Sequence, residues 1–273
     1  MANFNLGNIS IPPAVKNIII INAIMLLLTT VLERVGINLV QYLGLYYFKS
    51  SHFYPYQFIT HLFMHGNIMH LFFNMWMLFM FGVVLERIWG TKRFLIYYFV
   101  TGIGAALLHT FVNWVEISQV EHAAAATLNT LSPDTFSAFC TKHFSSFINP
   151  TGLDNFLTDW SENPENQIFT NEAEKLIHSF TQRMMNTPTV GASGAVYGVL
   201  LAFGMLFPNT RLMLLFPPIP VKAKYMVMFC IALELFLGVS QPGSNIAHFA
   251  HVGGMLFGYL LLVYWRRKGN SLY

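Results

Sequence analysis

The sequence predicts an all-α membrane protein, a six-transmembrane-helix bundle that carries a small helical extracytoplasmic insertion. Three observations lead there. Of 273 residues, 55% are hydrophobic and only 10% charged, whereas a soluble domain carries about 25% charged residues. The mean hydropathy is +0.50. The apolar residues also gather into six runs separated by charged or turn-forming segments, most of them near the roughly 20 residues a helix needs to cross a bilayer. Length alone would allow one or two soluble domains, but the charge deficit overrides that prior.

The first span covers residues 14–32, between Lys16 and the Glu33-Arg34 pair. The stretch before it has no basic n-region, and the apolar run has no small-residue cleavage site, so it is expected to remain as an anchor rather than be removed as a signal peptide. The second span covers 67–85 and meets no charge until Glu86. The third, 94–115, follows the basic turn Lys92-Arg93. The fourth begins near Ser193 and stops before Pro208, the fifth covers 225–239, and the sixth covers 248–265 and ends in Arg266-Arg267-Lys268. The fourth and fifth are short. A helix that starts part-way into a membrane is tolerated when its non-helical lead-in is buried in protein or lines a water-filled cavity. Cys140 and Cys230 form no disulfide framework.

Basic residues set the orientation. Ten of the 15 (Lys16, Arg87, Lys92, Arg93, Arg211, Lys222, Lys224, Arg266, Arg267, Lys268) fall on one side of the six spans. By the positive-inside rule that side, with both termini, is cytoplasmic. Ser193 then opens toward the exterior. The segment 116–188 carries nine acids against three bases together with periodic apolar stretches such as Leu153/Phe156/Leu157/Trp160. It reads as an acidic, mostly helical extracytoplasmic unit, with turns expected over 149–152 and 161–167. It divides the bundle into an N-terminal part, 1–115, and a C-terminal part, 189–273. A spacer and a substrate-sorting lid are both compatible with its composition.

Polar groups at membrane depth are costly and point to function. Gly191-Ala192-Ser193-Gly194 leads into an apolar helix, and His251 is followed by Gly254 and Gly258 on one helical face. Small residues at that spacing let two membrane helices approach closely. A hydroxyl and an imidazole on such helices suggest an activated nucleophile, since an unassisted serine is weak at neutral pH. His251 lies on the small-residue face; His248, one turn earlier, does not, and is the weaker candidate base. Tyr197, one turn after Ser193, either buttresses an imidazole or is a core aromatic.

A second polar series, His61, His65, His70 and Asn74, runs into the second span. Its i, i+4 histidines admit a metal site, but no Glu follows His61 or His70 as the usual zinc-protease pattern requires. Donation to an oxyanion by His70 and Asn74, or polar packing, are the other readings. Glu234, the one acid in the fifth span, either packs through hydrogen bonds or orients His251 as the acid of a triad does.

These patterns together resemble the rhomboid family of intramembrane serine proteases. The likeness rests on Gly191-Ala-Ser193-Gly194-Ala-Val-Tyr197, on Ala250-His251-Val-Gly253-Gly254-Met-Leu-Phe-Gly258, and on His65 through His70-Leu-Phe-Phe-Asn74 with Glu86 closing that span. It implies a catalytic dyad of Ser193 and His251 and an oxyanion hole lined by His70, Asn74 and the Ser193 N–H. It also implies supporting roles for Gly191, Gly194, Gly254 and Tyr197, a structural role for Glu86, and no cofactor or metal. The partners implied are transmembrane protein substrates and the lipid bilayer, with no nucleic acid, and the expected location is the inner membrane of a bacterium. Two features depart from the family pattern: Tyr56-Gln57 stands where many members carry a Trp-Arg pair, and compact bacterial members lack a counterpart of 116–188. A catalytically inactive rhomboid-like escort is the alternative function, and a transporter built around Glu234 is a third.

Overall fold

The computed structural model describes residues 10–145, 147–213, 218–240 and 247–269. The chain divides into two compact units: Met1–Leu45, Phe53–Thr110 and Pro188–Tyr273 form the first, and Tyr46–His52 with Phe111–Thr187 the second.

In the first unit, helix α1 (Pro13–Glu33) starts with proline at its first position, where a missing N–H costs nothing. Its next two amides are also without helical acceptors. Glu86 supplies them: Oε1 accepts from Ala14 N and Oε2 from Val15 N, each at 2.8 Å. The hydroxyl of Thr91 donates to Oε1 at 2.8 Å. An acid only 2% exposed is thereby fully employed, as a buried charge must be.

Two short helices, α2 (Leu39–Leu43) and α3 (Gln57–Thr60), shape the connection that follows. Gln57, fully buried, accepts from Tyr54 N at 3.1 Å and donates to Tyr42 O at 3.2 Å, while Thr60 Oγ1 donates to Leu43 O at 2.8 Å. The Tyr56-Gln57 pair therefore brings its own anchor for this loop.

The second span is one apolar run, Ile68–Trp89, built of α4 (Ile68–Met77), a π-helical turn (Leu78–Gly82) and α5 (Val83–Trp89). Asn67 caps it, accepting from His70 N at 2.8 Å. Gly90, at φ +75°, reverses the chain into α6 (Thr91–Asn129), a helix of 39 residues that continues well past residue 115, where the third span was expected to end. Then come α10 (Ser193–Leu206), the antiparallel ribbon β1 (Arg211–Met213) and β2 (Pro220–Lys222), α11 (Ala223–Ser240) and α12 (His248–Arg267).

Five of these helices are long and apolar enough to cross a membrane. With the shorter α10 they account for the six runs, so the chain is an all-α, multi-pass membrane protein. The outward faces of α1 (Ile24, Leu27) and α11 (Phe229, Phe236) expose large apolar side chains and suit a lipid surround. Helix α10 is the most enclosed, with eleven of fourteen residues buried. Glycines make that enclosure possible. A methyl on Gly198 would stand 2.6 Å from Thr101 Cβ of α6, and one on Gly254 of α12 would collide with the carbonyl of Gly194. Helix packing in lipid depends on such small-residue contacts.

The second unit has its own core. Helices α7 (Pro133–His143), α8 (Pro150–Glu162) and α9 (Gln167–Met185) pack Phe136, Phe139, Cys140, Phe144, Trp160 and Ile177 together with Val120 and Ala124 of α6. Ser132 and Thr135 form a capping box on α7. The turn expected over 149–152 is instead the start of α8: Asn149 caps it, and Pro150 and Gly152 are already helical. The segment Tyr46–His52 joins this unit through Lys49 Nζ to Glu121 Oε2 at 2.9 Å and Ser50 Oγ to Asn186 Oδ1 at 2.6 Å.

Candidate active site

Ser193 is the first residue of α10, and its lead-in is not helical. Leu45 and Thr189 pair backbone to backbone (N to O 2.9 and 2.8 Å), and Gly191 N donates to His61 O at 3.0 Å. These bonds satisfy backbone groups that would otherwise be expensive at membrane depth. At about 1.5 Å per residue, the fourteen residues of α10 reach about 21 Å, short of a hydrocarbon core of about 30 Å. Ser193 therefore sits below the membrane surface if the other end of α10 reaches the opposite face.

Two features of the lead-in require glycine at 191. Its φ is +128°, a region that side chains disfavour. An added Cβ would also stand 2.8 Å from His70 Cε1 and 3.7 Å from Ser193 Oγ. The His70 imidazole thus packs on Gly191, on the side of the serine hydroxyl. At the N-terminus of α10 the first amides have no helical acceptor and carry the positive end of the helix dipole.

His251, in the first turn of α12, brings Nε2 to 2.8 Å from Ser193 Oγ. With the ring proton on Nδ1, the hydroxyl donates to Nε2. Tyr197, one turn below Ser193, stacks on the imidazole with ring centroids 4.2 Å apart and planes within 4°. The ring is thus fixed from its face by α10 and at its edge by the serine.

The other polar residues fall into two groups. His61 is buried and donates from Nδ1 to Gln57 O at 2.7 Å, and His65 stands edge-on to His70 at 5.0 Å. Asn74 Nδ2 donates to His70 O at 2.8 Å, so one of its two amide protons is engaged with its own helix. Glu234 of α11 belongs with the catalytic candidates instead. Its Oε1 accepts from the Tyr197 hydroxyl at 2.5 Å and lies 3.0 Å from His251 Nδ1; its Oε2 accepts from His248 Nδ1 at 2.7 Å. His248, the weaker candidate base by sequence, begins α12 and is buried in this contact. Ligand atoms of Glu234, His248 and His251 lie within 4.8 Å of one another, close enough for a metal ion, although Glu234 is already hydrogen-bonded to Tyr197 and His248. His61, His65 and His70 form no such group among the described residues.

A family model for the rhomboid domain matches residues 52–118 and 168–268, together more than half of the chain. The chain belongs to the rhomboid family. It is similar to the rhomboid protease AarA of Providencia stuartii, 28% identical over 207 residues, which is 73% of this chain and 52% of that protein. It is also similar to the mitochondrial rhomboid protein 1 of Saccharomyces cerevisiae, 34% identical over 27% of this chain and 21% of that protein. A third relative, the mitochondrial RHOMBOID-like protein 12 of Arabidopsis thaliana, is 38% identical over 28% of this chain and 22% of that protein. The chain thus spans about half, or less, of the length of these relatives. The two stretches matched by the family model flank residues 119–167, and they contain Ser193, His251, His70, Asn74, Tyr197 and Glu234.

Proposed function

We propose that this protein is an intramembrane serine endopeptidase that cleaves transmembrane proteins in or near their spans. The observation that carries the reading is the 2.8 Å contact between Ser193 Oγ and His251 Nε2, made at the start of the short apolar helix α10 with the imidazole stacked on Tyr197. Membership of the rhomboid family and likeness to a named rhomboid protease support it.

In the reaction, Ser193 Oγ attacks the scissile carbonyl carbon as its proton passes to His251 Nε2. The carbonyl electron pair moves onto oxygen, where the Ser193 N–H, His70 and the second amide proton of Asn74 stabilise it. Collapse re-forms the carbonyl and breaks the C–N bond, and Nε2 returns its proton to the leaving amine. Water, deprotonated by the same nitrogen, then hydrolyses the acyl-enzyme and restores the serine. A helical substrate must unwind to expose its carbonyls, so small or helix-breaking residues are favoured at the cut.

The basic residues Arg87, Lys92, Arg93, Arg266 and Arg267 cluster at the end of the bundle where Arg93 lies 4.3 Å from the Trp265 ring and Arg87 reaches Ser10 O. Ser193, His70 and His248 lie at the opposite helix ends. This supports cytoplasmic termini, an extracytoplasmic 116–188 segment and a site open to the exterior. The relative matched over most of the chain comes from a bacterium, which supports a bacterial inner membrane.

The test is cleavage of a transmembrane substrate by purified protein in detergent. Wild type should cut, while Ser193→Ala and His251→Ala should each be inactive, because nucleophile and base act as a unit. Cleavage by Ser193→Ala would overturn the reading.

A further inference from the structure

We infer that Glu234 positions His251, so that the working unit is Ser193–His251–Glu234 spread over three helices, α10, α12 and α11. The inference rests on the serine-hydrolase reading and extends it to a residue on a helix that contributes neither nucleophile nor base. The Glu234 side chain is 7% exposed, and its Oε1 stands 3.0 Å from His251 Nδ1. The contact is at 3.0 Å without hydrogen-bond geometry, so the carboxylate acts on the neutral ring through its field, while the Tyr197 stack and the Ser193 bond hold the ring in place.

What distinguishes this acid from a packing residue is how its oxygens are fixed. Tyr197 donates to Oε1 at 2.5 Å and His248 Nδ1 to Oε2 at 2.7 Å. Donors converging on both oxygens is the arrangement an ionised carboxylate accepts. Tyr197 serves two ends at once, because the ring that stacks on His251 carries the hydroxyl that locks Glu234. The geometry has a chemical consequence. Nε2 can take the Ser193 proton only if the resting ring proton is on Nδ1, and a carboxylate beside Nδ1 selects that tautomer and then faces the imidazolium that forms. No proton leaves Nδ1; Glu234 touches neither substrate nor reacting atoms and is a positioning residue. Met228, on α11 but 63% exposed and facing away from the site, provides a control for perturbing that helix.

The experiment uses the full chain in detergent and separates kcat from KM. Glu234→Gln keeps size and burial but sets an amide N–H toward Nδ1; kcat should fall at least a hundredfold with KM within about twofold and the unfolding midpoint little changed. In a soluble serine protease the equivalent acid-to-amide change costs about ten-thousandfold. Glu234→Asp should recover part of the loss, and Met228→Leu should behave as wild type. Fluorophosphonate labelling of Ser193 should slow in Glu234→Gln but persist, which separates a displaced base from a missing nucleophile. Where Glu234→Gln does not fold, wild-type protein carrying 15N-histidine decides: His251 should report the Nδ1–H tautomer. A folded Glu234→Gln variant with unchanged kcat, or a wild-type His251 in the Nε2–H tautomer, would overturn the inference. If Ser193→Ala is inactive in the same assay, the serine-hydrolase reading stands regardless.

Discussion

At the scale of single residues, the meeting of Ser193 and His251 follows from spacing, because each helix carries its own glycine pattern. From His251 the i+3 and i+7 positions are Gly254 and Gly258, and only a helix bearing its histidine on a small-residue face can approach another backbone closely. Tyr197 follows from the same periodicity, one turn from Ser193, and the stack at 4.2 Å is the outcome. A contact of Glu234 with His251 was one of two readings the sequence admitted, whereas its pairing with His248 was not legible. It joins α11 to α12, and helical periodicity says which residues share a face but not which neighbouring helix that face meets. Gln57 was hidden for a related reason: its partners Tyr42 and Tyr54 are backbone groups, which leave no mark on side-chain pattern. Two predictions belong here. Asn74→Ala should lower kcat by about a hundredfold to a thousandfold with little change in KM, as loss of an oxyanion donor does, measured by steady-state cleavage. Gln57→Ala should loosen the loop between α2 and α3, leaving two backbone partners unsatisfied at about 1–3 kcal/mol each; limited proteolysis should then cut between residues 53 and 56, and an uncut loop would show that its other ties, Thr60 to Leu43, Leu45 to Thr189, Lys49 to Glu121 and Ser50 to Asn186, hold it without Gln57.

At the scale of elements, glycine contacts and a single acid decide how the helices assemble. Gly254 allows α12 to rest on the carbonyl of Gly194, so Gly254→Ala must push apart the two helices that bring Ser193 to His251. Overpacking of a close-fitted contact costs about 1–3 kcal/mol. Activity should fall far more than stability, because about 1 Å of misplacement between reacting groups can cost a hundredfold. The comparison is kcat against the unfolding midpoint in detergent. Glu86 controls a different junction. Its carboxylate supplies both amides at the start of α1 and the Thr91 hydroxyl at the start of α6. Glu86→Ala strands those donors, and a lowered unfolding midpoint with kcat preserved in the folded fraction is the expected result. Span existence was legible from apolar run length, whereas the end of α6 was not, because a helix leaving a membrane keeps its backbone bonds while its composition turns polar.

At the scale of the whole molecule, the two units make separable predictions. The second unit has its own aromatic core and helix caps, so replacing residues 120–180 with a flexible linker should leave the six-helix core folded and hydrolysis of a generic membrane substrate intact, with selection among substrates altered. Loss of the folded core would show that segment to be integral. Orientation is read by cysteine labelling in intact cells. Cys140 cannot report, because burial encloses its side chain and pushes its thiol up to about 11, and a thiol needs to ionise to react. Exposed sites do better: Glu165→Cys should react with an impermeant reagent and Lys92→Cys should not, and the reverse pattern would invert the topology.

The central claim is serine chemistry inside the bilayer, and covalent labelling tests it most directly. Purified protein in detergent, treated with a fluorophosphonate and digested, should carry the adduct on Ser193. Labelling should vanish in Ser193→Ala, collapse in His251→Ala, and be unaffected by a chelator. Labelling at another residue, or hydrolysis that is lost on chelation and restored by zinc, would contradict the account.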